Sequence, residues 1–158
     1  MQYNRQNVLN YAKKWAFSRN PDYYNFDSLG GDCTNFTSQC IYAGANVMNF
    51  TKDVGWYYRT VTNRAAAWTG VEFLHRFLTR NIGAGPFAQS FDDVNFAEVG
   101  DIIQLNFNGI NFGHSLIVTA TSPEILVATH TADAFDRQLF TYSYERHRLL
   151  KIMGVRRA

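Results

Sequence analysis

An α+β domain, with helices leading and an antiparallel sheet following, is the fold class this sequence predicts, and three observations carry the prediction. Apolar residues recur at helical spacings through the first half of the chain. From about residue 101 the pattern changes to short runs rich in Ile, Val, Leu and Thr, separated by Gly, Asn and Ser-Pro turn signals. The two kinds of element are segregated along the chain rather than alternating, which disfavours βαβ units. The 158 residues amount to about one domain, and no repeat, linker or low-complexity segment divides them, so a single domain over 1–158 is expected.

Taken in order, Val8, Tyr11, Ala12 and Trp15 place apolar groups on one face of a first helix, which Pro21 is expected to end. An aromatic loop then passes through Gly30-Gly31 into a second helix with Cys33, Phe36, Cys40 and Ala43 on one side and Gly44 as its closing residue. A third helix is predicted over 65–79, where Trp68, Val71, Leu74 and Leu78 form a stripe beside Phe73 and Phe77. The stretch NIGAGPFAQSFDDVNF, with its Gly, Pro and paired Asp residues, reads as a loop. Strands follow at 101–107, 115–121 and 125–131, the last two joined as a hairpin through Ser122-Pro123-Glu124. A final pair is expected between 139–144 and 149–155.

Composition narrows the function. Apolar residues at 46% and charged residues at 18% suit a packed core and exclude the signature of disorder. A net charge of +2 is too small for a dedicated nucleic-acid binder. The longest uncharged stretch is interrupted by Gln104 and His114, so no membrane span is expected. The opening MQYNRQNVLN lacks the pattern of a secretory leader, so the protein either stays inside the cell or reaches its destination after a leader is removed. The basic segment from Arg146 to Arg157 holds Arg146, Arg148, Lys151, Arg156 and Arg157 against no acid and reads as a solvated face.

Cys33 and Cys40 lie seven positions apart. On one helix their Cα atoms would be about 10 Å apart, too far for a disulfide, so both are expected to be free thiols. Cys33 opens its helix, where unpaired N–H groups would stabilise a thiolate and lower its pKa below about 8.5. That makes it a candidate nucleophile, whereas Cys40, deeper in the helix, fits a small core side chain. A cysteine nucleophile needs a base and a group that orients the base. His114 opens the strand SLIVTAT and His130 ends ILVATHT, so a hairpin would bring both to one rim of the sheet. One could then accept the thiol proton while the other fixes its tautomer. Asp133 is an equally good orienter. Asp32 and Asn35 are expected to cap or brace the helix start, with Asp32 turned away from the thiol or offset by His114.

The segments GGDCTNFTSQCIYAGA, VGDIIQL, GHSLIVT and ATHTADAFDRQLFTYSYERHRLLKI resemble, in the same order, the Putative amidase domain family of the papain-like cysteine hydrolases, relatives of the CHAP amidases and NlpC-type cell-wall peptidases. The resemblance covers about residues 3–155. It implies a papain-like cysteine hydrolase fold with a helix-borne nucleophile, a histidine on the sheet and a third polar residue on the next strand, carried here by Cys33, His114 and His130. The Cys33 backbone N–H would be the first oxyanion donor, the second being left among Tyr23, Tyr24 and Asn25. The implied reaction is hydrolysis of peptide amides of the bacterial cell wall through a thioester, with peptide or peptidoglycan as partner, no cofactor and no metal. Zinc is disfavoured because ligands seven residues apart on one helix suit a tetrahedral ion poorly. The competing classes are a catalytically silent binding module of the same fold and a thiol-dependent acyltransferase.

Overall fold

The computed structural model describes residues 2–158. The first helix, α1, spans Arg5–Trp15; the Asn4 side chain accepts the Asn7 N–H at its start, and Val8 and Ala12 are buried beneath it. It stops at Trp15, before Pro21 is reached. Helix α2, Cys33–Ala45, is buried on nearly every side and is the centre of the helical layer. Its terminator is not Gly44. Asn46 takes the left-handed conformation at φ 55 and returns its N–H to Tyr42 O. Gly44 lies within the helix and permits close approach of α1, since a Cβ there would meet Val8 Cγ2 at 2.5 Å and Asn4 O at 2.8 Å.

The helix expected over 65–79 is two helices, α3 (Ala66–Thr69) and α4 (Val71–Arg80), because the chain is extended at Gly70. Trp68, Leu74 and Leu78 of the predicted stripe are fully buried; Phe73 is exposed. A small pair, β1 (Tyr58–Thr60) and β2 (Asn63–Arg64), precedes α3.

The main sheet is antiparallel, with strands β3 (Gly85–Phe91), β4 (Ile102–Asn106), β5 (Phe112–Ala120), β6 (Leu126–Thr129), β7 (Ala134–Gln138) and β8 (Arg146–Arg156) in the order β3-β8-β4-β5-β6-β7. Two expectations fail here. Part of the stretch read as a loop is strand β3, an edge strand, where Gly and Pro are tolerated because one side of the ladder is open. The last strand does not pair with 139–144: β8 lies between β3 and β4, and Leu139–Thr141 is a short 3-10 turn after β7.

Alternation gives the sheet two apolar faces. Ile102, Ile117, Ala128, Leu150 and Ile152 pack under the helices, while Ile103, Leu105, Leu116, Val118, Val127 and Leu149 form a second cluster covered by Val94, Tyr142 and Tyr144. The basic C-terminal segment is not simply a solvated face. Arg148 pairs with Glu72 at 2.8 Å, Lys151 lies 3.5 Å from Glu98, and Arg156 donates to Asn81 O. No helix among the described residues is long and apolar enough to cross a membrane.

Candidate active site

Gly30 and Gly31 both take positive φ, 86 and 98, to turn the chain into α2. A Cβ on Gly31 would lie 3.3 Å from Thr131 Oγ1, the atom that accepts the Asp32 N–H at 3.1 Å. Thr131 and Ala132 are themselves left-handed, at φ 66 and 57, and for a β-branched residue that conformation is costly. The strained turn after β6 is thus fastened to the residue preceding Cys33.

Asp32 does not cap the helix; no side chain does. Its buried carboxylate turns back, accepting from Phe26 N and Asn35 Nδ2 at 2.9 Å and meeting His130 Nδ1 at 2.5 Å, with Arg19 Nε at 3.6 Å. Burial alone would push this carboxyl up; the bonds from His130, Asn35 and Phe26 outweigh it and hold it below the usual carboxylate range. Asn35 braces the loop as expected, donating to Tyr24 O and accepting from Trp68 Nε1.

Cys33 and Cys40 are both free and buried. Backbone pairing of β5 with β6 extends from Ala120↔Leu126 to Ile117↔Ala128. Beyond that point the Thr129 hydroxyl donates to Ser115 O at 3.0 Å, and the Ser115 N–H hydrogen bonds the Cys33 sulfur instead. Thr34 adds its own N–H and its hydroxyl at 3.7 Å. Burial nevertheless pushes the Cys33 thiol up, and the neighbouring Asp32 carboxylate adds to the rise. The expected lowering of this pKa is therefore overturned: the thiol is almost wholly withdrawn from water, and that outweighs the N–H groups around it.

His114 is 7% exposed and is pushed down to about 4, first by burial and then by the Arg137 guanidinium. Its Nε2 lies 3.5 Å from Thr129 Oγ1, and Phe107 and Tyr142 flank its ring at 6.0 and 6.1 Å. Thr129 also approaches His130 O at 2.8 Å. A hydroxyl has one proton, and both carbonyls near Thr129 can only accept, so it turns a lone pair toward His114 Nε2. Among the described residues no hydrogen bond joins Cys33 to His114. They are linked through the backbone of Ser115, the residue after His114.

The expected pairing of His114 with His130 is not formed. His130 is buried, stacks on Phe36 at 4.0 Å, and commits both ring nitrogens elsewhere, Nδ1 to Asp32 and Nε2 to Trp15 O at 2.7 Å. It is His130, not His114, that offsets Asp32. Asp133 is also drawn away, gripped by Arg19 through two bonds of 3.0 and 2.9 Å. Of the upstream candidates for an oxyanion donor, Tyr24 has its N–H on Tyr58 Oη, Tyr23 packs on Tyr58 and Trp68, and Asn25 Oδ1 accepts from Asp27 N.

Sequence reasoning missed a polar chain that ties the cysteine helix to the sheet. Thr34 Oγ1 contacts Ser115 Oγ at 3.0 Å, Gln104 Nε2 donates to that hydroxyl at 3.2 Å, and Arg148 donates to Gln104 Oε1 at 2.7 Å. Ser115, Gln104 and Arg148 are register partners across β5, β4 and β8. The available signal was alternation, which sends Ser115 to the opposite face from His114.

A helix-borne cysteine laid against a histidine-bearing strand of an antiparallel sheet defines a class that the comparisons resolve. The chain belongs to the Putative amidase domain family, whose model matches residues 2–153. It is similar to the Uncharacterized protein YhbB of Bacillus subtilis (strain 168), with 31% identity over 147 residues, 91% of this chain and 45% of the relative. The chain thus spans less than half the length of that relative. No solved structure matches it. Family membership points to hydrolysis of amide bonds.

Proposed function

We propose that this domain is a cysteine amidase in which Cys33 attacks an amide carbonyl and His114 moves the proton. The observation that carries this reading is the placement of the Cys33 sulfur at the uncapped start of α2, hydrogen-bonded by the backbone N–H next to His114. A raised thiol and a lowered imidazole leave both groups neutral near pH 7. The base is then ready to receive a proton, and attack proceeds by general-base removal of the thiol proton rather than from a resting thiolate. Free-state catalytic hydrogen bonds are often long and tighten with substrate, so the missing Cys33–His114 bond is compatible with this role.

In the sequence of steps, the sulfur bonds to the carbonyl carbon as its proton passes to His114. The oxyanion is met by the Cys33 N–H. Collapse expels the amine, which takes the proton from His114, and leaves a thioester. Water, deprotonated by the same imidazole, then releases the acid and restores the thiol. Thr129 supports the Nε2–H tautomer, keeping Nδ1 free as base. His130 belongs to the site as a positioning residue that holds Asp32 away from the reacting sulfur.

Peptide amides of the bacterial cell wall are the substrate class we assign, on the resemblance to wall peptidases. Digestion of purified muropeptides, followed by mass spectrometry for new termini, tests it. Cleavage lost in both Cys33→Ala and His114→Ala is the expected result; cleavage that survives either change overturns the assignment of roles. The second reading, a silent binding module, is favoured by the absence of a Cys33–His114 hydrogen bond. It predicts muropeptide binding without turnover.

A further inference from the structure

A cavity of about 470 Å³ opens between α4, the loop around Thr51–Gly55 and the turn at Asn81–Gly83. It is remote from the candidate active site. Its wall includes Asn49, beyond the C-terminal end of α2, whereas Cys33 begins that helix, and 13 helical residues span about 18 Å. The volume lies in the range of small-molecule sites.

The lining combines two features seldom left together on a free surface. Val54, Phe73 and Ile82 are exposed large apolar side chains at 70%, 51% and 89%, and they converge here beside the buried Phe77. Arg76 and Arg80, four residues apart on α4 and so on one face, also line the cavity. Arg76 lies over the Phe73 ring at 5.6 Å. Among the described residues neither guanidinium forms a salt bridge, in contrast to Arg5, Arg19 and Arg148 elsewhere in the fold. Asp53, on the loop, is the one carboxylate in the lining, so two cations face one anion.

From this we infer that the cavity is a second binding site, for an apolar monocarboxylate whose carboxylate is taken by Arg76 and Arg80 and whose chain lies against Phe73, Phe77 and Ile82. Planar guanidinium forks suit a carboxylate, and the excess of one positive charge sets the sign of the ligand. The site needs neither thiol nor imidazole, so it stands or falls independently of the amidase reading.

Titration of the ¹⁵N-labelled protein with octanoate tests the proposal. Saturable shifts confined to residues around Thr51–Gly55 and Phe73–Gly83 are expected, with octan-1-ol binding more weakly. Arg76→Gln with Arg80→Gln should weaken octanoate by about tenfold or more, as loss of charge-assisted bonds does, without lowering the melting temperature of these surface-substituted chains. Asp53→Asn should tighten it, because a like charge is removed. Alkylating Cys33 should leave affinity unchanged. The proposal is overturned by shifts centred on the Phe107, His114 and Tyr142 region, by affinity that survives the double arginine change, by weaker binding in Asp53→Asn, or by no saturable shift. A failed muropeptide digestion would leave every one of these outcomes unaltered.

Discussion

His114 and Cys33 share a property that their sequence positions hide: each is buried enough to prefer its neutral form. A neutral imidazole is the competent base, so kcat/KM on an amide substrate should stay flat through pH 5–7 and fall as pH drops through about 4, where His114 gains its proton. A pH profile breaking near 6.5 instead would place the essential base in an exposed setting. Stability should respond with the same sign. An unfolded chain binds that proton at about 6.5, whereas the folded chain resists it until about 4, so stability declines as pH falls through this window. His75, also pushed down by burial, adds to the slope, and urea titrations of His114→Gln should show a shallower decline. His130 makes a separate prediction. Removing it leaves Asp32 buried and without its short partner, so His130→Ala should cost about 3 kcal/mol in urea unfolding, part of it recovered by adding Asp32→Asn. Recovery of stability without recovery of activity would mark His130 as touching the chemistry directly.

At the scale of elements, legibility followed periodicity. The apolar spacing of Val8, Ala12 and Trp15 marked α1, the Cys33–Cys40 stretch marked α2, and the β-branched runs marked β4, β5 and β6 because both faces of that sheet are apolar. Glycine and proline were less legible because one residue type serves several geometries. Gly44 looked like a terminator and is a contact surface; Gly70, inside the helix expected over 65–79, divides it; Gly85-Pro86 looked like a loop and opens an edge strand. Two substitutions separate these roles. Gly44→Ala should destabilise by about 1–3 kcal/mol, since its methyl has no room beside Val8 and Asn4. Asn46→Gly should be neutral or slightly stabilising, because the left-handed position is the one glycine adopts without cost. A neutral Gly44→Ala in chemical denaturation would show instead that α1 can withdraw at this contact without cost.

Over the whole molecule, the candidate site was legible as residue types and much less so as partnerships. Cysteine at a helix start and histidine at a strand start can be read from spacing. Which carboxylate meets which histidine depends on the turn at Thr131 and on a carbonyl of α1, contacts between residues about a hundred positions apart. The same is true of the Thr34–Ser115–Gln104–Arg148–Glu72 chain, which spans five elements and fixes the cysteine helix against the sheet. Gln104→Leu would leave the Arg148 guanidinium and the Ser115 hydroxyl short of partners and should lower stability by about 1–3 kcal/mol in thermal or urea unfolding. The central claim is that Cys33 reacts with His114 as its base, and the rate of iodoacetamide alkylation, read by peptide mass spectrometry against pH, tests it without a known substrate. Cys33 should be modified well ahead of Cys40 between pH 5 and 8, and that advantage should vanish in His114→Ala. Equal rates at the two cysteines, or a Cys33 rate unchanged by loss of His114, would contradict it.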